Sequence, residues 1–367
     1  MVNTKIIASI VVVLIVIGAI GAYYYVGTSG SGATSQGESA AQSTQSTEST
    51  TGGVIAPVLT QTLFTSSTQS TSPLQGSIAV SGAFAIYPLM VTWGEQFQSL
   101  NPSVQVQVSA GGAGKGMSDV LGGLVDIGMV SRNITQVELQ RGAYPVEVAK
   151  GGVVAVVNPS NPVLAQILSR GLSKPTLAGI FIDGNVTTWG QAIGESSASN
   201  APAQFSDKID AYTRSDSAGA ATSWAAYFGK TQQDLVGVGV FGDTGMLQAV
   251  ETDPLGIGFV NLPYAYDNST GSQVKGIVVV PLDLKNNGVL DTSENFYATL
   301  RGVSSAVATG AYPIRTDLYL VTKGKPTGTV KVFILWILTV GQKDVVPEGF
   351  VQLPSSVIAQ EVAQLQS

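Results

Sequence analysis

Hydrophobic and polar positions divide the chain into three regions of different character. The first, from Ile6 to Val26, contains no charged residue and is long enough to cross a bilayer core of roughly 30 Å. The second, from Gly27 to Gln75, is dominated by Ser, Thr, Gln and Gly, which cannot bury enough apolar surface to offset the entropy of ordering. From Gly76 onward, short apolar runs alternate with helical periodicity. The pattern predicts an N-terminal transmembrane helix over 1–26, a disordered linker over 27–75 and a folded region over 76–367.

The charges around the first region predict its orientation. Lys5 precedes it and the next charged residue is Glu38, so the positive-inside rule places the N-terminus in the cytoplasm and the folded region outside. A cleaved signal peptide is the alternative, because Ala19 to Gly21 resembles a small-x-small cleavage site. Both interpretations place the folded region outside the cell. Three Asn-x-Ser/Thr sequons are therefore candidate glycan sites, at Asn133, Asn185 and Asn268.

Strand and helix patterns alternate in the folded region, which predicts an α/β architecture. Strands are predicted at Ser77–Val80, Val104–Val108 and Val153–Val157, the last being a continuous apolar run of the kind buried in a parallel sheet. Helices are predicted at Pro88–Leu100, Met117–Leu124 and Val330–Val340. Because about 290 residues exceed one simple core, two lobes are expected.

The composition excludes several kinds of chemistry. The chain has no cysteine and no histidine, so disulfides, thiolate chemistry and Ser-His or Cys-His hydrolysis are excluded, and no metal or cofactor is expected. A hydrolase would need a Ser-Lys pair, for which Lys115 is the candidate. A net charge of −6 with only 11% charged residues argues against nucleic acid as a partner.

Three strand–turn–helix units each offer a helix that begins with small residues, at Val80–Trp93, Gly111–Arg132 and Ile209–Phe228. Free amides and the helix dipole make such N-termini suitable for an anion. Arg214 could add bidentate oxyanion binding, although a surface ion pair is the alternative. A carboxylate nearby, that of Asp126, is useful mainly if the ligand brings a proton, as hydrogen phosphate does and sulfate does not. Otherwise Asp126 would pair with Arg132 or Arg214.

These units, together with other motifs in the same order, resemble the periplasmic phosphate-binding proteins of ABC importers. The matching segments run from Gly76 to the C-terminus and include Gly82–Leu89, Gly111–Gly116, Val125–Arg132, Val157–Pro162, Ile180–Trp189, Arg214–Gly219, Gly256–Val260, Tyr312–Ile314 and Leu318–Gly324. The resemblance implies a two-lobed, hinged type II periplasmic-binding-protein fold. It implies a first lobe over 76–157, a second lobe over 158–261, and a return to the first lobe over 262–367.

The resemblance also implies a ligand site in the cleft between the lobes. The positions that match it are Phe84, Ala85, Ala113, Gly114, Asp126, Arg214, Ala218, Gly219 and Ala220. Further candidates are Lys115, Ser131, Arg132, Ser215 and Ser217. Hydroxyl-bearing residues are usual where this chain has Phe84, Ala113, Ala218 and Ala220. Each hydrogen bond lost to a charged ligand would cost roughly 1.5–3 kcal/mol.

The function implied by the resemblance is that of an extracellular, membrane-anchored receptor, not an enzyme, that captures phosphate and delivers it to an ABC permease. In that interpretation Arg214 supplies charge and Asp126 accepts the ligand's proton. The alternatives are a receptor for another oxyanion, or a surface structural or adhesive module that kept the fold and lost the ligand, with Phe84 filling the cleft. Acidic residues such as Asp243 and Glu251 are expected on a solvated surface or on a rim that docks on the permease.

Overall fold

The computed structural model describes residues 73–195 and 203–367. The predicted transmembrane helix and nearly all of the predicted linker lie outside these residues. Within the two described ranges, no helix is both long enough and apolar enough to cross a membrane.

Eleven strands are present among the described residues. They are β1 (Gly76–Gly82), β2 (Val104–Ala110), β3 (Ile127–Val130), β4 (Ala143–Val157), β5 (Leu172–Ser173), β6 (Asp210–Arg214), β7 (Val238–Val240), β8 (Gly256–Asn261), β9 (Val278–Val279), β10 (Leu282–Asp283) and β11 (Arg315–Lys323).

Twelve α-helices accompany these strands in the same part of the chain. They are α1 (Tyr87–Leu100), α2 (Ala113–Gly122), α3 (Gln136–Gln140), α4 (Leu164–Arg170), α5 (Lys174–Phe181), α6 (Trp189–Ala192), α7 (Gly219–Tyr227), α8 (Gly242–Thr252), α9 (Leu262–Ala265), α10 (Leu300–Thr309), α11 (Gly328–Thr339) and α12 (Ser355–Gln366).

Nine of the strands form one mixed sheet in the order β2-β1-β3-β11-β4-β8-β6-β7, with β9 also paired to β4, while β5 and β10 form a separate pair. At one end, β1 is parallel to β2 and β3. At the other end, β6 is parallel to β7 and β8. Parallel neighbours point their carboxyl ends the same way, so each group gathers its strand ends at one edge.

Two hydrophobic cores form around these two groups of strands. In the first core, Trp93 and Phe97 of α1 pack with Phe333 of α11. In the second core, the ring of Trp224 stacks on Phe259 with a centroid distance of 5.2 Å. Apolar residues at helical spacing on α1 and α11 bury one face of each helix, as the sequence predicts. The molecule is therefore two-lobed.

Strands β4 and β11 connect the two cores. The segment Val146–Ala149 of β4 contributes to the first core, whereas Val153–Val157 contributes to the second. β11 runs antiparallel to β4, and the residue before it, Ile314, lies in the second core while Leu318 lies in the first. The chain thus crosses between the lobes at the same level on both strands, where a hinge is expected in this fold class.

Several sequence predictions differ from the structure in detail. Val153–Val157 is fully buried as expected, but its partners β8 and β9 are antiparallel, so it is not part of a parallel sheet. Helix α2 begins at Ala113, four residues before the predicted start, because the glycines preceding Met117 belong to its first turn. Residues 262–314 were expected in the first lobe, yet Leu262, Val303 and Tyr312 pack in the second core.

Candidate functional site

A small pocket lies where the two cores face each other. Its empty volume is about 140 Å³. The residues that line it are Phe84, Ala85, Gly112, Ala113, Ser131, Arg214, Ala218, Gly219, Ala220 and Asn261. The lining residues up to and including Ser131 belong to the first lobe, and those from Arg214 onward belong to the second. The pocket is therefore an interlobe cleft in a closed arrangement.

The carboxyl ends of four strands supply this lining. Phe84 follows β1 in a short 3-10 turn, and Ser131 directly follows β3. Arg214 ends β6, and Asn261 ends β8. In open α/β sheets, ligands bind outside the carboxyl ends of the strands, so this is the location that the fold favours for a site.

Two helices point their first turns at the same pocket. The first-turn amides of a helix have no intrahelical acceptor. In α2 the amide of Ala113 lies in the first turn, while that of Gly114 donates across the cleft to the Ser217 carbonyl at 3.0 Å. In α7 the amides of Gly219 and Ala220 occupy the same positions. The pocket thus has backbone donors from both lobes, together with the positive ends of two helix dipoles.

Glycines allow the two lobes to approach this closely. Gly112 has a φ of 94°, and a Cβ there would lie 2.7 Å from Asp216 Oδ2. A Cβ on Gly219 would overlap both the hydroxyl and the carbonyl oxygen of Ser131. The absence of side chains at these two positions is therefore a requirement of closure.

Arg214 is buried in an ion-pair cluster beside the pocket. Its Nε and Nη2 each donate to one oxygen of Asp216 at 2.8 Å, and its Nη1 donates to Asp243 Oδ2 at 2.9 Å. Burial disfavours the charged guanidinium, but the attraction of Asp243 and the bonds to Asp216 outweigh it, so the pKa of Arg214 lies above its ordinary value. Two carboxylates face one cation, and the cluster adds no net positive charge to the site.

Asp243 also fixes the end of β8. It is fully buried, and Asn261 donates to it from the backbone amide at 2.8 Å and from Nδ2 at 2.9 and 3.0 Å. The expectation that Asp243 lies on a solvated surface or a permease-docking rim is therefore wrong, because the residue is a buried partner of Arg214. Glu251, which was grouped with it, is exposed as expected.

Phe84 covers the outer side of Arg214. Its ring centroid lies 5.4 Å from the guanidinium carbon and 5.6 Å from the ring of Phe241, edge to face. The Tyr264 hydroxyl donates to the Phe84 carbonyl at 3.1 Å, and burial raises the pKa of that phenol. Phe84 also lines a separate, more open cavity whose empty volume is about 1040 Å³. The aromatic side chain thus closes the pocket on the side where the resemblance implies a hydroxyl.

Of the fourteen candidate positions, eight line the pocket. They are Phe84, Ala85, Ala113, Ser131, Arg214, Ala218, Gly219 and Ala220. Gly114 lies beside it and contacts Ser217, whose carbonyl accepts its amide. Ser215 and Ser217 are exposed. Ser131 is the lining residue that provides a side-chain hydroxyl.

Asp126 does not reach the pocket. It precedes β3, whereas Ser131 follows that strand, so the two residues lie at opposite ends of it. The Asp126 side chain is exposed and accepts a hydrogen bond from the Ala79 amide at 2.8 Å. It pairs with neither Arg132 nor Arg214 among the described contacts, so both sequence interpretations of this residue are wrong.

Two other charged candidates are also directed elsewhere. Lys115 pairs with Asp119 one turn further along α2, and half of its side chain is exposed. Arg132 donates to both oxygens of Glu138, at 3.0 and 2.7 Å. Burial alone would raise the pKa of Glu138, but the bonds from Arg132 and Thr135 lower it to about 2.

The candidate positions left out four contributors to the site, namely Gly112, which lies inside the predicted glycine cluster, and Asp216, Asp243 and Asn261. Asp216 lies within the Arg-Ser-Asp motif, two residues after Arg214, and could have been proposed as its partner. Asn261 directly follows the Gly-Ile-Gly-Phe-Val motif and is the last residue of β8, so its position at a strand end was a usable signal. Asp243 had no local signal, since its partners are distant in sequence. Over the described ranges, no cluster of three or more carboxylates could hold a metal ion.

A two-lobed α/β molecule with helix N-termini converging on a closed interlobe pocket is a solute-binding protein by architecture. A family model described as a PBP superfamily domain matches residues 67–340, and the chain belongs to this superfamily.

Individual relatives share about a quarter of their residues with this chain. The chain is similar to the phosphate-binding protein PstS of Bacillus subtilis, with 26% identity over 298 residues that cover 80% of this chain and 86% of the relative. The phosphate-binding protein PstS of Pseudomonas aeruginosa is 24% identical over 324 residues, covering 81% and 89%.

Solved structures confirm the fold. A Clostridium perfringens protein solved with bound phosphate superposes with a TM-score of 0.61 at 22% identity, covering 76% of this chain and all of that one. An ABC-type phosphate transport receptor from Vibrio cholerae gives 0.54 at 22% identity, also covering 76% and all of that chain.

Proposed function

We propose that the protein is a receptor that captures phosphate in the interlobe pocket and delivers it to an ABC permease. The observation that supports this most is the convergence of the α2 and α7 first turns on a pocket beside the buried Arg214. The relatives at 80% coverage are phosphate-binding proteins, and the neighbour solved with phosphate has the same fold. The protein acts by binding and release, as a hinged two-lobed molecule does, and not as an enzyme.

Backbone amides are the main donors in this proposal. Asp216 and Asp243 already occupy Nε, Nη1 and Nη2 of Arg214, so the guanidinium has only its second Nη hydrogens to offer. The lining has Ser131 but no threonine. Since hydrogen bonds to a charged ligand contribute roughly 1.5–3 kcal/mol each, fewer hydroxyls mean a weaker complex than a hydroxyl-rich site would form.

We also propose that residues 1–26 anchor the protein in the cytoplasmic membrane and that 27–75 tether the folded region on the outer side. The uncharged run Ile6–Val26 and the preceding Lys5 support this orientation. The sequons at Asn133, Asn185 and Asn268 are all at exposed side chains, which is compatible with glycans at these positions.

A second candidate function rests on Phe84. Its ring packs on Arg214 and Phe241 and closes a pocket that is already small. A surface structural module that kept the fold and lost the ligand would have such a filled cleft. That function requires Phe84 to remain in place at all times, whereas the receptor requires the cleft to open.

Calorimetric titration of the detergent-solubilised full chain with phosphate distinguishes the receptor from the structural module. The receptor predicts saturable binding of one phosphate per chain, and no heat with nitrate, a planar anion of lower charge. If phosphate, sulfate and arsenate all fail to bind, the receptor proposal is wrong and the structural module is favoured.

A further inference from the structure

Two buried side chains line the pocket with polar atoms that have no partner. Ser131 is 1% exposed and Asn261 is 3% exposed. Within the described ranges, neither the Ser131 hydroxyl nor the Asn261 Oδ1 takes part in a hydrogen bond, although both residues line the pocket. Neither atom is among the fully buried unpaired side-chain atoms of the described residues, so both remain accessible to a hydrogen-bonding partner in the pocket.

Asp243 determines the orientation of the Asn261 amide. Nδ2 donates to both oxygens of the Asp243 carboxylate, at 2.9 and 3.0 Å. If the amide were reversed, its carbonyl oxygen would face the carboxylate, and two acceptors would repel each other. Oδ1 is therefore held on the side away from Asp243.

The Asn261 side chain also does not form the helix-capping hydrogen bond that is usual at its position. It stands at the N-cap of α9, where an asparagine oxygen normally accepts an amide of the first turn. No such side-chain bond forms here. The oxygen remains available as an acceptor, and unlike the Ser131 hydroxyl it cannot donate.

Neither nearby carboxylate, that of Asp216 or that of Asp243, is among the residues that line the pocket. Both oxygens of Asp216 accept from Arg214, and Oδ1 also accepts the Gly242 amide at 3.2 Å. Both oxygens of Asp243 accept from Asn261, and Oδ2 also accepts from Arg214. Asp126 lies at the opposite end of β3. The acceptor available in the pocket for a proton on the ligand is therefore the amide oxygen of Asn261.

We propose that Asn261 Oδ1, oriented by Asp243, accepts a hydrogen bond from the protonated oxygen of the bound anion. A fully ionised oxyanion would place a lone pair against this oxygen. The site consequently selects hydrogen phosphate, or another oxyanion that keeps a proton, over sulfate. This inference rests on the proposed anion receptor and names the residue that sets its specificity.

The wild-type full chain provides the first test, which does not depend on the folding of any variant. Phosphate, sulfate and fluorophosphate are titrated separately at slightly alkaline pH, where only phosphate keeps a proton. Phosphate should bind about 10- to 100-fold more tightly than the other two, as expected for one hydrogen bond to a charged group. Equal affinities would overturn this inference alone. Failure of all three to bind would overturn the proposed function and this inference together.

Two variants then assign the effect to one residue. Asn261→Ala should reduce the phosphate-to-sulfate affinity ratio about 10- to 100-fold. Ser131→Ala is the matched control, because its hydroxyl can donate to either anion, and it should weaken both alike and leave the ratio unchanged. An unchanged ratio in a folded Asn261→Ala protein, or an equal loss of the ratio in Ser131→Ala, would contradict the assignment.

Discussion

At the scale of single residues, the site depends on how buried polar groups are paired. Arg214 is almost fully buried, and its charge is compatible with burial only because Asp216 and Asp243 lie against it. Asp243 in turn accepts from Asn261. Removing one member leaves the others charged, buried and unpaired, which costs more than the pair itself contributes.

Replacing Arg214 with methionine should therefore destabilise the fold strongly. The variant keeps much of the side-chain volume but leaves two buried carboxylates without a cation, and a loss of about 3–5 kcal/mol is expected. Urea unfolding of both proteins measures it. Arg170→Met is the control, since Arg170 pairs with Glu195 where both side chains are about 40% exposed and also donates to the Ile193 carbonyl at 2.8 Å, and it should cost only about 1–2 kcal/mol. Equal losses in the two variants would show that the Arg214 cluster is not the cause.

The sequence predicted Arg214 and the small residues after it because they share one short motif, whose strand–turn–helix pattern fixes their position. It could not predict Asp243, which meets Arg214 only after the chain has folded through α7 and β7. Asp126 was assigned wrongly for a related reason. A motif that surrounds a short strand does not say which end of the strand faces the site, and here Ser131 lies at that end.

At the scale of helices and strands, closure depends on how the ends of α2, α3 and α7 are arranged. Gly219 begins α7 against Ser131 of the other lobe. Arg132, the next residue, turns away from the pocket and pairs with Glu138 of α3. Glu138 and Thr135 form a capping box at the start of that helix. Two adjacent residues therefore have different roles. Ser131 lines the pocket, and Arg132 forms an ion pair with the capping residue Glu138.

A pH titration should detect the Glu138 cap. The folded state lowers the pKa of Glu138 from 4.5 to about 2, so the ionised form is stabilised by folding. The resulting stability is fully present above the ordinary pKa and is lost as the pH falls through the folded value. The gap in unfolding free energy between wild type and Glu138→Gln should thus be constant above about pH 5 and shrink towards about pH 2. A gap that does not change with pH would show that the carboxylate charge is not involved.

Gly219→Ala should weaken phosphate binding without unfolding the protein. The added methyl group overlaps Ser131 in the closed arrangement, and overpacking of this kind costs about 1–3 kcal/mol, or about 5- to 150-fold in affinity. Titration calorimetry measures the change. Gly245→Ala within α8 is the matched control, because no atom lies within 4 Å of its Cβ position. The control should bind normally and gain about 0.5–1 kcal/mol of stability. Normal binding by Gly219→Ala would contradict the role of this contact in closure.

At the scale of the whole molecule, two cores are joined through β4 and β11, and the pocket exists only while they are close. The sequence predicted two lobes from length and alternation, and the resemblance supplied the hinge. The boundaries of the lobes depend on the core into which residues such as Val303 and Tyr312 pack. Tertiary contacts decide this, and no local sequence pattern indicates it. The closed cleft is held by short contacts between lobes, including Gly114 to Ser217 and Tyr264 to Phe84. A ligand adds contacts to both lobes in this state and should shift the population towards it.

The absence of cysteine allows this shift to be measured with labels at two introduced sites. Leu124 of the first lobe and Val238 of the second are 75% and 60% exposed, so cysteines there should carry spin labels without disturbing either core. Phosphate should shorten and narrow the distance distribution between the labels, because a bound anion is contacted from both lobes and disfavours the open state. The same pair of labels in the Gly219→Ala background should keep the longer distances at phosphate concentrations that close the wild type. If phosphate binds with no change in distance, closure of the lobes does not accompany binding, and this prediction is wrong.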